Sequence, residues 1–211
     1  MAFASRQDAG HQLGLRLQEI GTEVDIVAGL PRGGVVVAAV VADILQRPLD
    51  TVVVRKVGHP GHREFAIGAL AEHDVLILDW EATRLFPASN AQVHDIIAGE
   101  REQLREHCRK FRPEGGNHFL GKSVLLVDDG LATGATAEAA VQAARAKGAR
   151  RVIMAAPVAA TSAWKRLARV ADDIVVLTVD PNLDAVGHYY REFSQTTDEE
   201  VLALLHSPRT H

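Results

Sequence analysis

Residues 124–136 read VLLVDDGLATGAT, and this stretch decides the fold that we predict. Four apolar residues, Val124 to Val127, predict a buried strand that ends at the carboxylates Asp128 and Asp129. A short loop follows, and then the alanine-rich segment AEAAVQAARAKG, which predicts a helix. A strand, a loop and a helix in this order are typical of an open α/β sheet, in which ligands bind just beyond the carboxyl ends of the strands.

The loop after this strand has the chemistry of a site for a ribose phosphate. Its backbone N–H groups, the hydroxyls of Thr133 and Thr136 and the helix N-terminus can all point at one phosphate group. The carboxylates of Asp128 and Asp129 accept hydrogen bonds and suit a pair of vicinal hydroxyls. A buried strand can also end in two aspartates for structural reasons alone, but their combination with a phosphate loop favours a ligand.

The rest of the chain alternates strands with helices. The apolar run from Val24 predicts a strand, VVVAAVVADIL a buried helix and LDTVVVRKVG the next strand, while RRVIMAAPVA and DDIVVLTVD predict strands around the helix SAWKRLARVA. This alternation, which continues to Asp180, predicts an α/β fold with a doubly wound parallel sheet, in a single domain over residues 1–211. Three segments outside the alternation are expected to form a small hood above the strand ends: residues 1–22, 80–118 and part of 181–211.

A glycine-rich turn lies between the first predicted strand and its helix. Residues 28–34 read AGLPRGG, and Arg32 adds a permanent charge beside the backbone of Gly33 and Gly34, which an anion can approach closely. The spacing alone fits a plain strand-to-helix turn as well as an anion-binding loop.

Two cations and a polar segment follow the second predicted strand. Arg55 and Lys56 come directly after its apolar run, so we expect them at its carboxyl end, either as solvated cations or, for Lys56 above all, in contact with an anion. Residues 58–64, GHPGHRE, predict a loop that is either plain surface or a lid that closes over a ligand and excludes water. The apolar segments AIGAL and DVLILD after it predict a hairpin or a meander.

The composition excludes several classes of protein. The formal net charge of −4 argues against a nucleic-acid partner, and no apolar run is long enough to cross a membrane. Cys108 is the only cysteine, which excludes an internal disulfide, and the ten histidines show no metal-ligand spacing. The N-terminus lacks the apolar core of a signal peptide, so we expect a cytoplasmic protein.

The opening stretch resembles the phosphoribosyl diphosphate signature of the type I phosphoribosyltransferases, which is an apolar run, two acidic residues and a Thr-Gly-x-Thr phosphate loop. The phrases RKVGHPGHREFAIGALAE and DAVGHYYREFSQTTDEEV are similar to a bacterial subgroup of that family whose acceptor substrate is unassigned. The resemblance is weakest over residues 80–115. It implies a type I phosphoribosyltransferase-like fold and an enzyme, a pentosyltransferase, which transfers phosphoribosyl from phosphoribosyl diphosphate to a small-molecule acceptor and releases diphosphate.

The resemblance assigns the ribose phosphate to the opening stretch. Asp128 and Asp129 would hold the ribose hydroxyls. The 5′-phosphate would contact five loop residues, Ala132, Thr133, Gly134, Ala135 and Thr136. Magnesium is the implied cofactor, held by the substrate rather than by direct protein ligands, with or without a water molecule shared with Asp128 or Asp129.

The resemblance assigns the diphosphate and the reacting centre to the other segments. The residues that would face the diphosphate are Arg32, Gly33, Gly34 and Lys56. Lys56, Arg63 and Asp129 are the predicted catalytic residues, because catalysis in this family would come mostly from holding the leaving diphosphate and excluding water.

Three departures from the family pattern argue against an oxopurine acceptor. Oxopurine enzymes carry an aspartate just before the Thr-Gly of the signature, where this chain has Ala132. They place a lysine after the next strand, where this chain has none until Lys165. They tend to have an aromatic residue just ahead of a Val-Gly pair in the tail, where Leu183 and Asp184 precede Ala185 here. The acceptor therefore stays unidentified.

The sequence leaves two other classes of function open. A regulatory protein would sense phosphoribosyl diphosphate or a nucleotide without turnover, since some members of the family regulate transcription. A nucleotide-binding oxidoreductase would carry GxGxxG after the first strand, and GLPRGG lacks that spacing. The sequence also leaves open whether the chain forms a homodimer.

Overall fold

The computed structural model describes residues 3–78, 90–111 and 118–207, with the backbone alone for residues 62–66 and 90. Its main sheet consists of the strands β1 (Ile26–Gly29), β2 (Leu49–Thr51), β6 (Ser123–Val127), β7 (Arg151–Ala160) and β8 (Asp173–Asp180). Their spatial order is β2-β1-β6-β7-β8, and all neighbouring strands are parallel. The carboxyl ends of all five strands therefore lie at one edge.

Helices cover both faces of this sheet. The α-helices of the described residues are α1 (Arg6–Glu19), α2 (Gly33–Leu45), α3 (Asn90–Phe111), α4 (Ala135–Ala146), α5 (Thr161–Leu167) and α6 (Asp198–His206), and residues Val186–Tyr189 form a short 3-10 helix. Because side chains alternate along a strand, Leu125 and Val127 pack with α1 and α2, whereas Val124 and Leu126 pack with α4 and α5. The doubly wound parallel α/β sheet that we predicted is confirmed. None of the described helices is both long and apolar enough to cross a membrane.

A second, smaller sheet is antiparallel. Its strands are β3 (Val54–His59), β4 (His62–Ala71) and β5 (Val75–Leu78), in that spatial order, so the predicted meander is confirmed. Val57, Ile67 and Leu70 from this sheet form an apolar cluster with Ile97 and Leu104 of α3. The small sheet therefore packs on α3 through this cluster and on α4 as well, where Ala69 and Ala71 of β4 join the core of the main sheet.

The apolar run LDTVVV was predicted as one strand, and this prediction is wrong, because the run is divided between the two sheets. β2 ends at Thr51. The Val52 N–H donates to the Gly29 carbonyl oxygen over 3.2 Å, and the Val53 N–H donates to the Glu72 carboxylate over 2.9 Å. These two hydrogen bonds fix the segment through which the chain passes from the main sheet to the small sheet. The run contains no sign of the division, since both of its parts are buried.

The placement predicted for the residues after this run is wrong as well. Arg55 and Lys56 lie inside β3 and not at the carboxyl end of a main-sheet strand. Residues 58–64 are a tight β-hairpin and not a loop, since β3 runs to His59 and β4 begins two residues after Pro60. The imidazole of buried His59 accepts a hydrogen bond from the Gly61 N–H over 3.1 Å, which closes the turn. Arg63 lies in β4, and its side chain is outside the described part of the structure.

The predicted hood concerns segments that the structure describes only in part. Residues 79–89 and 112–117 lie outside the described ranges. Of the remaining segments, α1 packs against α2 and the main sheet through Leu13 and Leu17, while α6 contributes Val201 to the cluster around α3. The hood and the single-domain organisation stay predictions.

Candidate functional site

The two aspartates after β6 meet the glycines at the start of α2, because β1 and β6 are neighbours in the main sheet. A Cβ atom built on Gly33 would lie 2.0 Å from Asp129 Oδ2. One built on Gly34 would lie 2.8 Å from the Val127 carbonyl oxygen and 2.9 Å from the Asp128 Cα atom. Any side chain would collide here, so both positions need glycine for the helix N-terminus to approach the aspartates this closely.

The two carboxyl groups influence each other. Burial, and next the negative charge of Asp129, raise the pKa of Asp128 well above its usual range. Its Oδ1 atom accepts a hydrogen bond from the Asp129 N–H over 2.9 Å. Two adjacent carboxylates do not ionise independently, so the pair holds a proton to a higher pH than two isolated aspartates would.

Arg6 is a site residue that the sequence did not suggest. Its Nε atom donates to Asp129 Oδ2 over 2.7 Å, and the two side chains are only 11% and 16% exposed. Its Nη1 atom donates to the Ser194 carbonyl oxygen over 2.7 Å, and the guanidinium lies 3.9 Å from the centre of the Phe193 ring. The contact joins residues that are 123 positions apart in the sequence. The one sequence feature that could have indicated it is the pair of adjacent aspartates, because two neighbouring negative charges are stabilised by a cation from another part of the chain.

Tyr190 holds the backbone of the same aspartate. Its hydroxyl donates to the Asp129 carbonyl oxygen, and its ring lies 5.5 Å from the Phe3 ring and 4.9 Å from the Phe193 ring, centre to centre. Burial, and next the charge of Asp129, raise the pKa of the Tyr190 hydroxyl, so it stays a hydrogen-bond donor at neutral pH. The tail of the chain therefore fixes the end of β6.

The predicted phosphate loop is anchored to β7. The Ala160 N–H donates to the Leu131 carbonyl oxygen over 2.8 Å, and Leu131 also pairs with the neighbouring strand through its own N–H. Gly134 has a φ of 77°, which lets the chain turn into α4. Ala132 and Thr133 are exposed, so the loop presents its outer side to solvent at the helix N-terminus.

A cation supports the loop from α5. Arg166 Nη1 donates to the Thr133 carbonyl oxygen over 3.3 Å, and its Nε atom lies 2.8 Å from Glu138 Oε2. Glu138 belongs to the first turn of α4, where its charge would repel a phosphate. The ion pair with Arg166 offsets that repulsion.

The predicted diphosphate residues are divided between the two sheets. Arg32 immediately precedes α2, and its Nη1 atom lies 3.8 Å from Asp198 Oδ1 at the start of α6. Arg55, by contrast, is engaged by α3, since its Nε atom donates to Glu100 Oε2 over 2.9 Å and its Nη2 atom donates to Gln103. Lys56 is exposed beside a cavity of about 560 Å³ between β3 and α3. The geometry thus brings Gly33, Gly34 and the aspartates together and places Lys56 on the small sheet.

A protein-only metal cluster is not found in the described part of the chain. There, no three side chains of histidine, cysteine, aspartate or glutamate lie together in a way that could hold a metal ion. Any cation at Asp128 and Asp129 would need further ligands from a substrate or from water.

Two relatives come from Mycobacterium tuberculosis. "Putative phosphoribosyl transferase Rv0571c" of strain ATCC 25618 / H37Rv and "Putative phosphoribosyl transferase MT0597" of strain CDC 1551 / Oshkosh are each 42% identical to this chain over 205 residues. Each match covers 96% of this chain and 46% of the relative. The chain therefore spans about half the length of these curated relatives.

A solved structure and a family model match nearly the whole chain. The crystal structure of TT1426 from Thermus thermophilus superposes with a TM-score of 0.77 at 45% sequence identity, covering 97% of this chain and 98% of that chain. The phosphoribosyl transferase domain model matches residues 5–191. This chain is a member of the phosphoribosyl transferase domain family.

Proposed function

We propose that this chain binds phosphoribosyl diphosphate with magnesium at the carboxyl edge of the main sheet, transfers the phosphoribosyl group to an unidentified small-molecule acceptor and releases diphosphate. The observation that carries the proposal is the meeting of Asp128 and Asp129 with Gly33 and Gly34, beside the loop that opens α4. Two helices, α2 and α4, start at this edge, and helix N-termini offer N–H groups and partial positive charge to phosphates.

Each element has a role in this proposal. The ribose hydroxyls would donate hydrogen bonds to Asp128 and Asp129, and the 5′-phosphate would lie in the loop of residues 132–136. The diphosphate would meet the N–H groups at the start of α2 and the charge of Arg32. Those groups would stabilise the negative charge that develops on diphosphate as its bond to the anomeric carbon breaks and the acceptor forms a new bond there.

Magnesium fits the side chains at this edge. Mg²⁺ prefers oxygen ligands in octahedral geometry, keeps several waters and often combines one or two carboxylates with substrate phosphates. Asp128 and Asp129 offer carboxylate oxygens, directly or through water, and the substrate would complete the coordination. The bound ion would offset the negative charge that diphosphate brings next to two aspartates.

A sensor that binds phosphoribosyl diphosphate or a nucleotide without turnover is the second candidate. One observation favours it: Lys56 and Arg63, the cations predicted to act in catalysis, belong to the small sheet. Their catalytic roles stay predictions. A screen of acceptors for diphosphate release separates the two candidates, because only an enzyme releases diphosphate.

Calorimetry with phosphoribosyl diphosphate tests the shared part of both candidates. We expect binding in the presence of magnesium, and a loss of about tenfold to about a hundredfold in Asp129→Asn, since hydrogen bonds to charged groups contribute about 1.5–3 kcal/mol. Asp173→Asn is the matched control, because Asp173 begins β8 at the opposite edge of the sheet. Absence of binding by the unmodified protein, or equal losses in both variants, would contradict the proposal.

A further inference from the structure

We propose that Arg6 is a positioning residue for Asp129, which holds Oδ2 of this carboxylate so that the other oxygen, Oδ1, meets the ribosyl ligand. The inference rests on the proposed function, because it concerns the same carboxylate. It adds a residue from the first turn of α1, far from the opening stretch in sequence, to the machinery of the site.

Three groups fix the guanidinium of Arg6. Its Nε atom is bound to Asp129 Oδ2, its Nη1 atom to the Ser194 carbonyl oxygen, and its plane lies against the Phe193 ring. At 11% exposure the side chain has little room to move. A planar, immobilised fork is suited to orienting a carboxylate, whereas a lysine at the same place would offer a single mobile charge.

The ion pair lies directly against the N-terminus of α2. A Cβ atom on Gly33 would be 2.6 Å from Arg6 Nε as well as 2.0 Å from Asp129 Oδ2. Asp129, the proposed ribose-binding carboxylate, and Arg6 therefore both lie directly against the proposed diphosphate-binding helix. A change in Arg6 would alter the distance between two parts of one ligand site, and small misplacements of this kind are costly for binding.

Charge supports the same role. Two neighbouring carboxylates would repel a diphosphate, and Arg6 is the cation within hydrogen-bond distance of Asp129 among the described residues. Tyr190 holds the backbone carbonyl of Asp129 while Arg6 holds its side chain, so the aspartate is oriented from both ends. Both contacts involve the tail, since Arg6 also binds the Ser194 carbonyl oxygen.

The first experiment compares Arg6→Met with a matched arginine that has no place at the site. Arg145 also donates to a carbonyl oxygen, that of Val170, over 3.2 Å and 2.8 Å, and lies 3.2 Å from Asp172 Oδ1. We expect calorimetry with phosphoribosyl diphosphate and magnesium to show an affinity loss of about tenfold or more for Arg6→Met and less than about twofold for Arg145→Met. Arg6→Lys should bind more tightly than Arg6→Met but more weakly than the unmodified protein. If Arg6→Met does not fold, the affinity of Arg6→Lys is compared with that of Arg145→Met instead.

The second experiment needs no ligand. A double-mutant cycle on thermal stability with Arg6→Met and Asp129→Asn should be clearly non-additive, because the two side chains interact directly. An additive cycle, or an unchanged affinity in Arg6→Met, would overturn the inference. If the unmodified protein binds no phosphoribosyl diphosphate while the cycle is coupled, the proposed function itself fails and the ion pair is structural only.

Discussion

The carboxyl edge of the main sheet and the small sheet with α3 use their polar residues differently. At the edge, Asp128 and Asp129 lie against the N-terminus of α2, a few residues before the exposed loop residues Ala132 and Thr133. In the small sheet, Arg55 is bound to Glu100 and Gln103, so its charge serves to hold α3. A charged residue near a sheet therefore does not by itself indicate a ligand site, because its charge can serve to hold a neighbouring element.

The two regions are joined by a buried ion pair. Lys147, directly after α4, contacts Glu72, at the end of β4, and the two side chains are 2% and 10% exposed. The ammonium also lies 4.9 Å from the centre of the Phe119 ring. The Glu72 carboxylate accepts the Val53 N–H at the point where the chain passes from one sheet to the other. The pair therefore fixes the small sheet to α4, the helix that follows the predicted phosphate loop.

The largest effect is expected from breaking the ion pair between Lys147 and Glu72. Lys147→Met should lower the free energy of unfolding by about 3 kcal/mol or more, because it leaves Glu72 buried without its cation. Chemical denaturation measures the loss. The double variant Lys147→Met with Glu72→Gln should recover much of it, since glutamine is neutral and can still accept the Val53 N–H. A single variant as stable as the unmodified protein would show that the two regions hold together without the pair.

Glycine-to-alanine substitutions should have the second-largest effects, and these effects should differ between the two regions. Gly33→Ala should weaken binding of magnesium and phosphoribosyl diphosphate by about tenfold or more, because a Cβ atom there displaces the pair of Asp129 and Arg6. Gly99→Ala in α3 meets nothing within 4 Å and should instead stabilise the protein by about 0.5–1 kcal/mol. Calorimetry and thermal melts distinguish these outcomes. Equal affinities for both variants would remove α2 from the site.

The pH dependence of protein stability should reveal whether the Asp128 carboxyl group is protonated in the folded protein. Its raised pKa means that the folded protein binds this proton more tightly than the unfolded chain does. The resulting stabilisation is complete below the unfolded pKa of about 4 and is lost as the pH rises through the folded pKa, at about 1.4 kcal/mol per unit of difference. Asp128→Asn stays neutral, so its melting temperature should rise relative to the unmodified protein as the pH is raised from about 4 to neutral pH. A constant difference over this range would mean that Asp128 is not protonated in the folded protein.

The smallest effects are expected for the two cations of β3. Arg55→Ala should cost about 1 kcal/mol of stability through the lost contacts with Glu100 and Gln103, whereas Lys56→Ala should stay within about 0.5 kcal/mol. Denaturation of both variants checks this. Weaker binding of phosphoribosyl diphosphate by Lys56→Ala alone would support the predicted contact of Lys56 with diphosphate, and unchanged binding would leave Lys56 as plain surface.

The accuracy of the sequence predictions differs between the regions for a physical reason. The stretch VLLVDDGLATGAT specifies its strand, turn and helix locally, through a short apolar run, a glycine at a positive φ and an alanine-rich segment. The residues from Leu49 to Val57 carry no such punctuation. Their division between β2 and β3 depends on Glu72 and on α3, which lie farther along the chain.

The sequence by itself determined the family resemblance and the order of the strands and helices outside residues 49–64, because apolar periodicity and turn chemistry act over a few residues. It also predicted which edge of the sheet carries the acidic pair and the glycines, since parallel strands share one carboxyl edge. Only the tertiary structure decided that Arg6 and Tyr190 hold Asp129, and that Arg55 is engaged by α3. Those contacts join segments distant in sequence, and their formation depends on how helices and tail pack around the finished sheet, which no local pattern encodes.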